Sequence, residues 1–483
     1  MYPDARELGG RFAAAGHELY LVGGTVRDTL LAAGDASQLT EVDLDFATSA
    51  PPEETERIVR PWATAVWLTG AEFGTVSCQR ESDDRERPTR RVEITTFRAD
   101  SYTPGSRHPE VVYGTAVEED LARRDLTVNA MAVAVPDFRF VDPFGGLRDL
   151  HARTLRTPID PRTSFSDDPL RMVRLARFAA VLDAEVDPAA EEAATAMADQ
   201  LATVSAERIR DELVKLVAGV VPRRGLELLV ATGLSAYVLP ELDELRACVD
   251  PQHRHKDVWA HTLAVLEQAM DLESGLPDGG PDVVLRLAAL LHDVGKPDTR
   301  EIHGDRTVTF HHHDVVGARM TRHRLRELRF DKDTVKDVSE LVRLHLRFHT
   351  FASGWTDAAV RRYVRDAGHL LERLNALTRA DVTTANARKA ARIQRNVDLL
   401  EERIGLLREQ EELDALRPPI DGNRIMDHLG MPPGPLVGQA WNHLLELRID
   451  EGPMDEDAAL AALDAWWAER EEAATDGDGV GGE

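Results

Sequence analysis

Asp43 and Asp45 stand two residues apart in the alternating stretch Val42-Asp-Leu-Asp-Phe-Ala47, which reads as a β-strand. Side chains at i and i+2 of a strand point to one face, about 6–7 Å apart along the chain. Two-metal phosphoryl chemistry wants ions roughly 4 Å apart, held by acidic oxygens and usually by a third carboxylate from a neighbouring strand. Glu93, in the alternating Val92-Glu-Ile-Thr95, is placed to be that third ligand. Taken alone, two aspartates at this spacing are more often a solvent-facing acidic pair. Their company changes the reading. Gly23-Gly24 precede a helix N-terminus, whose free N–H groups and dipole attract phosphate, and Arg27 lies in the first turn. A phosphate cradle beside metal-binding carboxylates is what nucleotidyl transfer needs.

The elements that must position these groups follow from length and pattern. The chain has 483 residues, enough for about three compact units. Glu18–Val22, Val42–Ala47, Gly74–Cys78 and Val92–Phe97 read as strands, and Thr25–Leu31 as a helix. The charged segment from Arg80 to Arg91 reads as a solvated hairpin loop. From about Ser164 the apolar period becomes helical and stays so nearly to the end, while the Glu-, Asp- and Gly-rich segment after Ala468 is expected to fray. The first region therefore reads as α/β or α+β and the rest as helical; the expectation adopted is an α+β fold with a mixed-sheet region over 1–150, a helical region over 151–250, a histidine-rich helical domain over 251–400 and a helical tail over 401–483.

Composition bounds the function. With 58 basic against 85 acidic residues the net charge is −27, which by itself disfavours a nucleic-acid partner. Local clusters count for more, and Arg123-Arg124, Arg171/Arg174/Arg177 and Arg322/Arg324/Arg326/Arg329 are dense. Arginine bias also follows from a G- and C-rich genome, so the charge is neutral on function. Two cysteines, Cys78 and Cys248, cannot build a disulfide framework. No leader pattern or apolar span of membrane length is visible, so a soluble, cytoplasmic protein without a membrane partner is expected.

Three further groups carry chemistry. Arg123, Arg124 and Asp125 can bind a triphosphate and brace one another, and Asn129 can meet a ribose hydroxyl; alone, they are an ordinary surface ion-pair cluster. Asp168 and Arg171 sit at i, i+3, where an ion pair is the default. They can also read a base: the carboxylate accepts from the exocyclic amine of cytosine or adenine, and the guanidinium donates to the adjoining ring acceptors. Finally, Leu290-Leu-His-Asp-Val-Gly-Lys-Pro297 places His292 beside Asp293, with His261, His313, His345 and Asp381 as further metal ligands on other helices. Singly, each histidine is more often a surface or satisfied core residue. His303, His311, His312, His323 and His349 are taken as surface.

Leu-Val-Gly-Gly-Thr-Val-Arg-Asp at 21–28 with Val-Asp-Leu-Asp-Phe-Ala at 42–47 resembles the head of class II tRNA nucleotidyltransferases and their sister bacterial poly(A) polymerases. Arg-Arg-Asp-Leu-Thr-Val-Asn-Ala at 123–130 resembles that family's ribose- and phosphate-contacting motif, and Asp-Pro-Phe-Gly-Gly-Leu-Arg-Asp-Leu at 142–150 its hinge-like segment. Asp168-Pro-Leu-Arg171, continued by Arg174, Arg177 and Phe178, resembles its nucleobase-selecting helix; Glu-Arg-Ile-Arg-Asp-Glu-Leu at 207–213 resembles its last motif. These ordered motifs cover roughly residues 18–240. One departure is Asp167, where the family more commonly has Glu, which makes a brace on Arg171 different. The later histidines and aspartates resemble the HD phosphohydrolase superfamily. That resemblance implies one metal on His261, His292, Asp293 and Asp381, and a second on His313 and His345.

The expected function is template-independent addition of C, C and A to the 3′ end of tRNA from CTP and ATP. Asp43 and Asp45 are expected to hold Mg²⁺ and Glu93 to activate the tRNA 3′ hydroxyl. Gly23, Gly24, Arg27, Arg123, Arg124, Asp125, Asn129, Asp168, Arg171, Arg174 and Arg177 bind the nucleotide, and a divalent transition metal occupies the HD site. The alternatives are poly(A) tailing, an A-only or CC-only specialist, and an HD phosphohydrolase whose head merely binds RNA. Oligomeric state is not legible.

Overall fold

The computed structural model describes residues 3–32, 44–70, 74–81, 90–98, 114, 116–248, 258–304, 308–348, 354–383, 386–411 and 417–477. The chain forms two compact units, Met1–Asp243 and Glu244–Glu483.

The first unit opens with α1 (Pro3–Ala14), β1 (Leu19–Val22), α2 (Gly24–Leu31), β2 (Leu44–Thr48), α3 (Pro52–Val59), β3 (Ala65–Gly70), β4 (Thr75–Arg80) and β5 (Arg90–Thr96). α4 (Val117–Ala122), β6 (Ala132–Val135) and β7 (Phe140–Val141) complete a seven-stranded mixed sheet, ordered β3-β4-β5-β2-β1-β6-β7. β2 and β5 run parallel; β1 is antiparallel to β2 and β6. Central β1 is buried along its whole length, as a strand covered on both faces must be. Tyr20 and Val22 join a core with Phe97, Val117, Leu121 and Ala132, and alternation sends Leu19 and Leu21 to the other face. The four expected strands and the first helix are present within a few residues of their expected bounds. β3, β6 and β7 are additions, and the loop expected between β4 and β5 lies mostly outside the described residues.

Helices follow: α5 (Gly146–Ala152), α6 (Pro161–Asp167), α7 (Leu170–Leu182), α8 (Pro188–Ala196), α9 (Ala206–Val217), α10 (Pro222–Ala231), α11 (Ser235–Val238) and α12 (Glu241–Ala247). The short parallel pair β8 (Thr154–Leu155) and β9 (Glu185–Val186) sits among them. α7 packs against α9 and α10. On α9 the buried positions are Ile209, Glu212, Leu213, Leu216 and Val217, a helical stripe with one carboxylate in it.

The second unit contains α13 (Val258–Leu272), α14 (Val283–Leu291), the hairpin β10 (Arg300–Ile302) and β11 (Val308–Phe310), α15 (His313–Glu327), α16 (Lys332–Leu344), α17 (Asp357–Ala367) and α18 (Leu371–Ala380). It ends with α19 (Ala387–Glu411), α20 (Gly422–Leu429), α21 (Pro435–Glu451) and α22 (Glu456–Gly477). The helix that was expected to fray after Ala468 continues to Gly477. A small core of Ile425, Ala440, Leu444, Ala459 and Leu463 joins the last three helices. No described helix is long and apolar enough to cross a membrane.

Candidate active site and metal centre

Asp45 and Glu93 are register partners on the parallel strands β2 and β5, so their side chains share one face about 5 Å apart in the pairing direction. Gly23 caps the N-terminus of α2 with φ 71°, a left-handed value that suits glycine. A Cβ there would lie 3.0 Å from the Arg124 guanidinium and 3.9 Å from an Asp45 carboxylate oxygen. The bare glycine turn, Asp45 and Arg124 thus enclose one small space, the arrangement a phosphate and a cation require. Glu93 is half-exposed and paired with Arg91 at 3.5 Å. Asp43 lies outside the described residues.

A cavity of about 660 Å³ extends from this turn. Gly23, Gly24, Arg27, Asp45, Arg124, Asp125 and Asn129 line one part, and Asp168, Arg171, Arg174, Arg177, Phe178, Arg208 and Lys215 another. Arg27 is buried and donates to Asn129 Oδ1 at 2.6 Å, which fixes the amide. Asn129 Nδ2 in turn donates to Asp125 Oδ1 at 2.9 Å.

Arg124 and Asp125, expected to brace one another, take other partners. Arg124 pairs with Asp120 one helical turn back, at 3.2 Å. Asp125 turns inward to Arg174, whose guanidinium lies 2.6 Å away. Burial opposes the Asp125 charge, but Arg174, Asn129 and the Leu126 N–H outweigh it and hold the carboxyl below its ordinary value. Arg123 contributes its carbonyl, which accepts from Arg171 at 2.6 Å; its side chain is not among those lining the cavity.

Asp168 and Arg171 do not pair either. Asp168 precedes α7 in an extended conformation, and Oδ1 accepts from the Leu170 N–H at 3.2 Å. Oδ2 accepts from Arg208 at 2.7 Å. Arg171 donates to the Ser164 hydroxyl at 2.9 Å and carbonyl at 3.1 Å. Both groups therefore enter the cavity wall already oriented and independent of one another, a carboxylate and a guanidinium available to a base edge.

Behind them lies a buried charge network. Glu212, 5% exposed, takes Arg174 at 3.3 Å and Arg177 at 3.1 Å. Burial and the neighbouring Arg174 push the Arg177 guanidinium down to about 10, against the pull of Glu212. The Phe178 ring carries guanidiniums of Arg177 at 3.9 Å, Arg27 at 5.1 Å and Arg174 at 5.7 Å.

In the second unit six ligand-type residues converge. His261 comes from α13, Asp293 from the turn after α14, and His313 from the start of α15. His292, His345 and Asp381 cap the ends of α14, α16 and α18, rather than lying within helices. Each histidine has its Nδ1 held: His292 by the Ala289 carbonyl at 2.8 Å, His313 by that of Phe310 at 2.7 Å, His345 by that of Val342 at 2.6 Å, and His261 by the Thr383 hydroxyl at 2.8 Å. A proton kept on Nδ1 by a carbonyl leaves the Nε2 lone pair free to ligate.

The ligand atoms fall into two clusters, His261/His292/Asp381 and Asp293/His313/His345, each within 4.8 Å. Asp293 was expected wholly with the first. Instead Oδ2 faces His261 at 3.3 Å and His292 at 3.2 Å, while Oδ1 faces His313 at 3.4 Å, so the carboxylate stands between the clusters. His345 Nε2 is buried without a hydrogen-bond partner among the described residues, the fit expected of a metal ligand. Burial and the His292 charge lower His345 to about 4, and burial lowers His313, so both present neutral rings. His261 is raised to about 9: burial opposes its charge, but Asp293 and Asp381 prevail. Gly295 permits the turn to approach α15, since a Cβ there would lie 2.2 Å from the His313 carbonyl.

Three families match in succession: "Poly A polymerase head domain" at 19–156, "Probable RNA and SrmB- binding site of polymerase A" at 184–246, and "HD domain" at 258–386. The A-adding tRNA nucleotidyltransferase of Deinococcus radiodurans is 35% identical over 438 residues, 89% of this chain and 91% of that protein. The chain belongs to the tRNA nucleotidyltransferase family. The CCA-adding enzyme of Bacillus subtilis is 38% identical over 221 residues, 46% of this chain, which spans about half (51%) of that relative.

Among solved tRNA nucleotidyltransferases, the Bacillus stearothermophilus CCA-adding enzyme in complex with CTP shares the fold at TM-score 0.67 and 24% identity, over 98% of this chain and all of that one. The Thermotoga maritima CCA-adding enzyme complexed with tRNA does so at TM-score 0.58 and 18% identity, over 97% and 96%. For a nucleotidyltransferase of this family, the nucleotidyltransferase and HD parts both imply use of divalent metal. Arg208 and Glu212 fall within the 207–213 motif without a role assigned to them from sequence, and Lys215 and Ser164 lie outside the motifs read there. A carboxylate in the apolar stripe of α9 was the available signal for Glu212.

Proposed function

We propose that this protein extends the 3′ end of tRNA with C, C and A, using CTP and ATP without a nucleic-acid template. The observation that carries the reading is the single cavity joining the Gly23 turn and Asp45 to Asp168 and Arg171. Phosphate recognition and base recognition must lie within one nucleotide's length of each other, and no template strand is needed if two side chains read the amine-bearing edge shared by cytosine and adenine.

In the reaction the terminal 3′ oxygen attacks the α-phosphate, a P–O ester forms, the α–β anhydride breaks and pyrophosphate leaves. Asp43, Asp45 and Glu93 would hold Mg²⁺, which supplies charge neutralisation at the α-phosphate when bound. Glu93 takes the 3′ hydroxyl proton. Arg27 and Arg124 meet the triphosphate beside the bare glycine turn, and Asn129, held by Arg27 and Asp125, meets the ribose. Arg123 acts through its carbonyl on Arg171. Arg174 and Arg177, anchored by Glu212, keep the base-reading end positive. Asp45→Ala is the test: it should abolish CTP and ATP incorporation into tRNA lacking its terminus, and retained incorporation overturns the assignment.

A second reading has its own support. One relative matched along nearly the whole chain is an A-adding enzyme, so this protein adds only the final A if it uses ATP on tRNA ending in CC and ignores CTP. Single-nucleotide incorporation on tRNA ending before, within and after CC separates the two, and unlimited ATP addition would indicate a poly(A) polymerase. The HD cluster is proposed as a two-ion phosphohydrolase centre: His261, His292 and Asp381 on one transition metal, His313 and His345 on the other, and Asp293 between them. Ions held there would supply activation of water toward a phosphoester. With tRNA as substrate, the cytoplasm is the proposed compartment.

A further inference from the structure

α15 carries Arg319, Arg322 and Arg326 on one exposed face, at spacings of three and four residues. Among the described residues none of the three side chains makes an ion pair or hydrogen bond. Their neighbours do: Arg324 donates to Glu327 at 2.7 Å, and His323 lies 3.3 Å from the same carboxylate. The face continues onto the packed neighbour α16, where Lys336 is exposed. Glu340, the acid between them, is held below its usual value by its bond to Arg343 and by the charges of Arg343, Arg322 and Lys336. In a chain of net charge −27, a cationic strip with its own acids already engaged is a local reversal of sign.

We infer that the Arg319–Arg322–Arg326 face of α15, continued by Lys336, docks the sugar-phosphate backbone of the tRNA substrate. The inference rests on the tRNA reading above. Arg319 to Arg326 spans about 10 Å of helix, matching about three phosphates of one strand at ~3.4 Å of axis per charge. An anionic membrane is the other polyanion to consider. A helix that lies on a bilayer inserts an apolar face, whereas Gly317, Ala318, Thr321 and Leu325 of α15 are buried within the unit and Val315 is its one exposed large apolar side chain.

The test is equilibrium binding of tRNA lacking its terminus, between roughly 50 and 200 mM salt, for wild type and R319A/R322A/R326A. Each lost phosphate contact removes about 0.7–0.9 from the salt slope, so the variant should lose about 2 and bind at least tenfold more weakly at the low end. ATP incorporation at saturating tRNA and the melting temperature should be unchanged, and R319K/R322K/R326K should restore binding. Unchanged tRNA affinity and slope overturn the inference. So does an equal loss in R57A/R60A/R162A, three exposed arginines of the first unit, or a defect confined to phosphatidylserine vesicles. Failure of the wild type itself to bind tRNA would instead reject the substrate reading.

Discussion

Arg208 on α9 donates to Asp168, forty residues earlier in the chain, at 2.7 Å. With Leu170 N–H on the other oxygen, the carboxylate is held from two sides before any nucleotide arrives. If Asp168 reads an exocyclic amine as proposed, Arg208 helps to set its orientation.

Arg208→Ala should therefore lower kcat/KM for the cognate nucleotide by about 10–100-fold while narrowing discrimination against UTP and GTP. Arg208→Lys, which keeps the charge but not the fork, should recover rate more than selectivity. Single-nucleotide kinetics with all four triphosphates check this. Unchanged selectivity in Arg208→Ala would remove Arg208 from base choice.

Glu212 stands between two guanidiniums, so Glu212→Gln leaves buried Arg177 without its carboxylate partner and half-buried Arg174 with Asp125 alone. Breaking a buried pair costs about 3–5 kcal/mol. For a unit of this size the melting transition should fall by roughly 6–20 °C. Bound CTP or ATP should restore part of that loss, because the triphosphate supplies negative charge to the same cavity. Differential scanning calorimetry with and without nucleotide reads both effects.

Asp125 gives an acid-dependent signature. Its carboxyl sits below the ordinary value of 3.8 in the folded state, so its contribution to stability is complete above that value and is lost as pH falls through the lowered one. Asp125→Asn should be markedly less stable than wild type at pH ~7, and the gap should close below about pH 4. Urea midpoints at neutral and acid pH measure it; a gap that stays constant would show that the charge on Asp125 is irrelevant.

The HD cluster should hold metal in fixed stoichiometry. Elemental analysis of the purified protein should find about two transition-metal ions per chain, about one in His345→Ala and neither in Asp293→Ala, since Asp293 faces both clusters. Wild-type protein that retains no metal after purification in its presence would contradict the proposal.

The sheet carrying Asp45 and Glu93 was legible because alternation marks strands, and the ligand set of the second unit because histidines crowd after residue 250 around the adjacent His292 and Asp293. What stayed hidden was partnership. Arg123, Arg124 and Asp125 are neighbours in sequence, yet Asp125 answers to Arg174 and Arg124 to Asp120. The reason is direction: the turn after α4 and the short helical turn at 127–129 send consecutive side chains to different sides. Asp168 and Arg171 likewise look like a helical pair until Pro169 starts the helix after Asp168. Arg208 lies forty residues from Asp168, and no local period reports such a contact.

The parallel pairing of β2 with β5 carries a last consequence. Forty-eight residues separate Asp45 from Glu93, and only the hydrogen-bond register makes them neighbours. A shift of β5 by a single residue would turn Glu93 toward the opposite side of the sheet while leaving every backbone bond replaceable. A one-residue deletion entering β5 should thus yield a soluble, sheet-containing protein that is chemically silent, making transferase activity a sensitive reporter of strand alignment in this head.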